Sequence, residues 1–254
     1  MTPPVETSAL LSGLPGARHG FFGRRGGVST GAFASLNCSA TVGDDPDAVA
    51  SNRGSALAAV GATRLALCRQ VHGAGIAAVA GPFAEDARPE ADAMVTDTPG
   101  LALGILTADC VPVLLADPQA GVIGACHAGW RGAVAGVVEN VVSAMRAAGA
   151  DPSRIRAAIG PAISQSNYEV GPDWATALLA RDPAHARYLA TPAGGRAHFD
   201  LPGFVLDRLR DAGVGEPGQT GGCTFADPAR YFSHRYATGR AASAGRQIAL
   251  IVLA

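Results

Sequence analysis

No lysine occurs anywhere in the 254 residues, so all 20 basic side chains are arginine. That absence excludes chemistry resting on a lysine amine, such as a pyridoxal or aldolase-type Schiff base or a Walker A phosphate loop. An excess of one charge is missing too, since 21 acidic residues balance the scattered arginines to a formal net charge of −1. Nucleic acid and anionic membrane surfaces are therefore not expected partners. Charge is scarce altogether, at 16% of residues against 48% hydrophobic, which is the composition of a chain that buries a core. No stretch reaches the roughly 20 apolar residues of a membrane span, because the nearest, 101–117, is interrupted by Asp109, Cys110 and Pro112. The first sixteen residues lack the basic start and apolar run of a secretory signal. Five cysteines, an odd number, lie scattered at Cys38, Cys68, Cys110, Cys126 and Cys223. With no export signal they point to reduced thiols in a cytoplasmic protein, open to metal binding or nucleophilic chemistry.

With no internal repeat or linker, the whole chain 1–254 is expected to be one catalytic domain, irregular over 1–17. Glycines and small polar residues in 21–37 predict a surface loop. Residues 44–61 predict a helix, opened by an Asp-Pro pair and stopped by Gly61. The short apolar runs 101–110, 111–118 and 121–128, bounded by Asp, Pro and Gly, predict buried strands. The spacing of Val134, Val137, Val138, Val141, Val142 and Met145 predicts one helix over 132–149. Further helices are expected in 171–182 and 201–213, and strands in 65–73, 154–163 and 246–254. Strands and helices mix without regular alternation, so the fold class is α+β, a single domain of mixed β-sheets flanked by helices.

Three segments place a borderline or soft metal ligand beside small residues: RQVHG with His72, TADCVP with Cys110 and CHAGWRG with His127. Their separations fit no local zinc-finger spacing, so the fold would have to assemble them. Cys110 and His127 stand at predicted strand ends, where a rigid scaffold holds exposed side chains. Alternation along a strand puts Cys126 on the opposite face from His127, so Cys126 reads as core and His127 as site. The turn at Gly129, Trp130 and Arg131 leads into a helix and offers free amides and a guanidinium to an anion. The plain alternative is tight packing by Gly129 and Gly132 with Arg131 a surface ion pair. Trp130 is read as a packing residue, although a purine base would suit it. Asp109 could orient a metal-bound imidazole or carry a proton, or simply cap a strand end. On a strand Cys68 lies too far from His72 to share a metal, and Cys223 and His234 read as structural.

The segments 19–37, 42–53, 69–73, 91–117, 127–140, 159–171, 199–201, 223–235 and 238–240 together resemble the laccase-domain family. It is also named the multicopper polyphenol oxidase, peptidoglycan editing factor or purine nucleoside phosphorylase family. The resemblance runs from about His19 to the C-terminus, with His234 standing where many relatives have tyrosine. It implies a zinc ion bound by His72, Cys110 and His127. It also implies phosphorolysis of adenosine, inosine, guanosine and S-methyl-5′-thioadenosine, with adenosine deamination as a further activity. Arg53 matches a site-associated arginine of the family, and with Arg131 it is expected to hold anionic oxygens of phosphate.

Three protein ligands leave one tetrahedral position open, as in catalytic zinc sites. Cu2+ at the same ligands is a competing occupant, since copper outcompetes zinc for such donors. The rival activities are a copper-dependent polyphenol oxidase, for which six histidines are few, and a peptidoglycan-precursor editing amidohydrolase with Cys110 as nucleophile and His127 as base. A non-catalytic zinc-stabilised binding module would need a fourth ligand such as Cys68 or Asp109. No heptad pattern argues for a dimer.

Overall fold

The computed structural model describes residues 2–254. Along the chain run β1 (Val5–Glu6), β2 (Ala17–Phe22), β3 (Arg64–Ala66), β4 (Ile76–Ala78), β5 (Ala93–Thr96), β6 (Leu101–Thr107) and β7 (Val111–Asp117). They continue with β8 (Val122–Ala128), β9 (Arg156–Ile159), β10 (Leu189–Ala190), β11 (His198–Phe199), β12 (Glu216–Gln219) and β13 (Gln247–Leu253). The helices are α1 (Ala9–Ser12), α2 (Pro46–Ala59), α3 (Trp130–Val134), α4 (Val137–Ala147), α5 (Pro172–Arg181), α6 (Leu201–Asp211) and α7 (His234–Thr238).

A five-stranded sheet in the order β1-β2-β13-β6-β3 stacks on a six-stranded sheet in the order β12-β9-β7-β8-β5-β4. Parallel and antiparallel pairs occur in both. Period-2 alternation sorts each strand between two cores. In β7, Leu114 and Ala116 face the space between the sheets, where they meet Leu103, Ile105 and Ile251, whereas Val111, Val113 and Leu115 face outward under α4 and α6. In β13, Ile248, Leu250 and Val252 turn the other way, onto Leu57 and Val60 at the end of α2. Both sheets are thus covered on both faces, so β7, β8 and β13 are buried along their whole length. That is why these strands appear in the sequence as unbroken apolar runs. The result is the expected α+β domain of mixed sheets flanked by helices.

Helix α2 starts and stops where its sequence predicts. The Asp45 carboxylate accepts from Asp47 N at 3.1 Å, Pro46 occupies the first turn, and Gly61 follows at φ 66°. Three expectations need correction. The single helix over 132–149 is two, α3 and α4, because Gly136 between them takes φ 94°, a left-handed conformation that breaks the ladder. The apolar spacing survives the break, since Val137, Val138, Val141, Val142 and Met145 all bury against the sheet. The strand over 65–73 stops at Ala66, and His72 sits in a turn at φ 60°. Within 1–17, expected to be irregular, β1 pairs with β2 and α1 is capped by the Ser8 hydroxyl.

Candidate metal centre

Antiparallel pairing of β7 and β8 brings Cys110 and His127 together. Pro112 lies opposite His127 and Val111 opposite Ala128, so Cys110, one residue before β7, falls beside the end of β8. His72 arrives from the connection between β3 and β4. The donor atoms of His72, Cys110 and His127 all lie within 4.8 Å of one another, with Cys110 Sγ 3.9 Å from His72 Nε2. A tetrahedral zinc with ordinary Zn–S and Zn–N bonds spaces sulfur and nitrogen by about 3.6 Å. The Cys110–His72 pair stands close to that spacing, and one thiolate with two imidazoles is a donor set suited to a zinc or copper ion. Alternation holds as expected: Cys126 is wholly buried in the core under the helices, its thiol pushed up by burial, while His127 faces the site.

Asp92, just before β5, organises two of the three ligands. Its buried carboxylate takes His127 Nδ1 at 2.7 Å and His72 N at 2.9 Å on Oδ1, and Val71 N at 3.1 Å and Gly73 N at 2.7 Å on Oδ2. The three amides shape the left-handed turn that carries His72. The ring hydrogen bond places the proton on His127 Nδ1 and leaves Nε2 free for a metal. Burial alone would raise the Asp92 pKa, but the His127 hydrogen bond, the Gly73 and Val71 amides and the His127 charge together hold it low. Burial likewise opposes ionisation of Cys110 and His127. Their mutual attraction prevails, holding the Cys110 thiol down at about 6 and raising His127 to about 9. A thiolate at neutral pH is the form a metal requires.

Close approach is set by glycine. A Cβ on Gly129 would stand 2.8 Å from His72 Cδ2 and 3.2 Å from Cys110 Sγ, and one on Gly132 would stand 2.5 Å from the Gly73 carbonyl oxygen.

The trio lines a cleft of about 450 Å³ whose wall also holds Arg53, Arg69, Arg88 and Arg246. Arg53 Nε donates to the Cys38 carbonyl at 2.8 Å and its Nη1 meets Glu85 at 3.1 Å. Arg88 also pairs with Glu85. Arg53 Nη2 and Arg88 Nε are buried without an acceptor. Arg246 donates through Nη1 to the Ala244 and Gly245 carbonyls, leaving Nε and Nη2 without a partner among the described residues.

The other residues singled out in the sequence lie as follows. Asp109, at φ 94°, accepts from Thr224 Oγ1 and Arg235 N, both at 2.7 Å, so its carboxylate ties the C-terminal loops together while Asp92 orients the imidazole. Arg131 is exposed, stacked over Trp130 at 4.8 Å, and is not among the residues lining the cleft. Trp130 packs edge-on against Trp174 at 5.2 Å. Cys68 lines the cleft outside the ligand set, its thiol raised to about 11 by burial. Cys223 receives hydrogen bonds from Ser164 N and Asn167 Nδ2, which suits its structural reading. His234 lines the cleft instead of packing in the interior. Asp92, Arg88 and Arg246 carry no local motif; the one available signal is an ionisable residue beside a strongly apolar strand.

Comparison with known proteins follows the same lines. Residues 18–254 match the family model described as multi-copper polyphenol oxidoreductase laccase. The chain is 45% identical over 231 residues to a purine nucleoside phosphorylase of Streptomyces coelicolor, covering 89% of this chain and 94% of the relative. It is 44% identical over 238 residues to a purine nucleoside phosphorylase of Deinococcus radiodurans, covering 92% and 88%. Among solved structures it is similar to Neisseria meningitidis protein NMB0706, with a TM-score of 0.85 and 33% identity, covering 100% of this chain and 99% of that one. It is also similar to YlmD from Geobacillus stearothermophilus, with a TM-score of 0.84 and 30% identity, covering 97% and 94%.

Proposed function

The chain belongs to the multi-copper polyphenol oxidoreductase laccase family, and on that premise we propose that it is a zinc-dependent purine nucleoside phosphorylase with adenosine deaminase activity. Its substrates in this reading are adenosine, inosine, guanosine and S-methyl-5′-thioadenosine, with phosphate, in the cytoplasm. No helix among the described residues is long and apolar enough to cross a membrane. The observation that carries the reading is one cleft holding both an open three-ligand metal set and unsatisfied guanidinium donors. Its volume of about 450 Å³ falls within the range of small-molecule sites, about 300–1,000 Å³.

The residues divide the work. Bound zinc would supply Lewis acidity at the open coordination position. His72, Cys110 and His127 would hold it, with Asp92 fixing the tautomer of His127. Arg53, Arg88 and Arg246 take the anionic oxygens of phosphate, the role left to arginine in a chain without lysine. Glu85 is the counter-ion that phosphate would displace. Copper at the same ligands is a competitor. A multicopper oxidase is disfavoured by the other imidazoles: His19 accepts from Ser8 N, His185 packs on Phe204, and His198 bonds the Gln165 carbonyl. The paired Cys110 and His127 also suit the editing amidohydrolase, in which Cys110 is the nucleophile. That activity should survive chelators, whereas phosphorolysis by the metal form should not.

The test is metal content together with turnover of adenosine and phosphate, following adenine, ribose 1-phosphate and inosine, for wild type and Cys110→Ala. Loss of both metal and products in the variant supports the reading. A zinc-replete wild type that forms none of these products overturns it.

A further inference from the structure

Two ion pairs on the arginine wall of the cleft converge on a single atom. Arg53 Nη1, at 3.1 Å, and Arg88 Nη2 both meet Oε2 of Glu85, while Oε1 bonds nothing among the described residues. On each arginine the neighbouring N–H of the same planar fork, Nη2 on Arg53 and Nε on Arg88, is buried without an acceptor. Each fork is therefore half filled. With Oε2 shared, the carboxylate has one oxygen left for two empty N–H groups, so it can never fill both forks. Filling them takes three oxygens, one bridging the arginines and one on each empty N–H, which is the number a tetrahedral oxyanion turns to one side.

The three groups also differ in freedom. Arg53 is tied by its Nε to the Cys38 carbonyl at 2.8 Å, and its side chain is 14% exposed, that of Arg88 13%. Glu85 is 53% exposed and opens a single 3-10 turn, Glu85–Ala87, that no side chain caps. The carboxylate can swing into water while the guanidinium groups stay in place.

Resting on the phosphorylase reading above, we propose that Glu85 is an internal competitor of phosphate. Its Oε2 holds the place of the oxygen that bridges Arg53 and Arg88, and only an anion offering three oxygens displaces it. Phosphate reproduces both contacts of Glu85 and adds the two that the carboxylate leaves unmade, which removes the cost of buried donors without partners. Chloride or a free carboxylate adds nothing to what Glu85 already supplies, and Glu85 is tethered beside the site at high effective concentration. When phosphate is absent, Glu85 also keeps the buried charges paired: burial and the Arg53 charge lower the Arg88 pKa, and Glu85 opposes them. The carboxylate thus selects among anions instead of merely neutralising the wall.

Calorimetric titration of inorganic phosphate into zinc-loaded wild type, Glu85→Gln and Glu85→Ala tests this without turnover. An exposed ion pair is worth up to about fivefold and Glu85 makes two, so phosphate should bind Glu85→Gln about 5- to 25-fold more tightly than wild type. Acetate supplies the second readout. It should weaken phosphate binding to Glu85→Ala, where it can take the vacated place, and leave wild type unaffected. If Glu85 instead serves to hold the arginines in position, both signs reverse: Glu85→Gln binds phosphate more weakly, and acetate strengthens binding to Glu85→Ala. Either reversal overturns this role, as does an unchanged phosphate affinity in a Glu85→Gln protein with wild-type zinc content and melting temperature. Tighter binding with no acetate effect overturns it too, because loss of one negative charge would then suffice. Tightening and acetate competition in a protein that forms no ribose 1-phosphate from adenosine overturn the phosphorylase reading and leave the role of Glu85 standing.

Discussion

Replacing Asp92 by asparagine keeps the size of the side chain and changes only what it can accept, which makes it a sharp probe of the metal centre. The carboxylate takes four donors, two on each oxygen: His127 Nδ1 and His72 N on one, Val71 N and Gly73 N on the other. An amide has an oxygen on one side and an NH2 on the other. Turned one way, the NH2 faces the His72 amide and a His127 ring that must shift its proton; turned the other, it faces the Val71 and Gly73 amides. At about 1–3 kcal/mol for each unsatisfied group, one or two of them according to the orientation, the metal-free variant should be about 1–6 kcal/mol less stable, against the 5–15 kcal/mol typical of a domain. If the NH2 faces His127, the imidazole proton moves to Nε2, the nitrogen needed for the metal. If it faces Val71 and Gly73, the turn carrying His72 loosens. Either way zinc affinity should fall about 10- to 100-fold, the usual cost of losing a partner that orients a ligand. Urea unfolding of the metal-free proteins measures the first effect and competition with a chromophoric chelator the second. An Asp92→Asn protein that unfolds at the wild-type urea concentration and binds zinc as tightly as wild type would refute the reasoning.

Gly129→Ala would push a methyl group to 2.8 Å from His72 Cδ2 and 3.2 Å from Cys110 Sγ. Weakened zinc binding in a protein with an unchanged circular dichroism spectrum is expected; full affinity would show that the ligands do not need the clearance. Arg53→Ala should raise KM for phosphate about 10-fold or more, the worth of a charge-assisted hydrogen bond, with the nucleoside KM little altered; an unchanged phosphate KM removes Arg53 from the phosphate wall. His19 accepts from Ser8 N at 2.8 Å, and burial lowers its pKa to about 4. A group whose folded pKa lies below its unfolded value of 6.5 contributes stability that is complete above 6.5 and is lost as pH falls through about 4. That contribution is on the order of 3 kcal/mol. His19→Gln keeps an acceptor but does not titrate, so its urea stability should fall less than that of wild type between pH 7 and pH 4. Parallel losses would contradict the assignment.

The division between arginine wall and metal trio has a simple structural origin. His127 is the last residue but one of β8 and Cys110 immediately precedes β7, both strands of the six-stranded sheet, while Leu106 near the end of β6 and Arg246 just before β13 lie side by side in the other. The cleft opens where the two stacked sheets meet the loops before β5 and α7.

Sequence alone determined the elements whose signals are local. The apolar runs of β6, β7, β8 and β13 identify strands covered on both faces, and Asp45, Pro46 and Gly61 mark both ends of α2. His72, Cys110 and His127 were legible as candidates because each joins a metal-ligating side chain to small neighbours, two of them at strand ends. Tertiary structure decided what depends on distant partners. Gly136 splits a well-spaced helical pattern because a left-handed glycine is invisible to hydrophobic periodicity. Asp92 looks like any surface acid until the fold wraps three amides and an imidazole around it. Arg88, Arg246 and His234 reach the cleft from loops and helix starts far apart in the chain, whereas Arg131, beside His127 in sequence, stacks on Trp130 away from it. Periodicity and turn chemistry act over a few residues, but the field at a site is the sum of groups brought close only when sheets pair and stack.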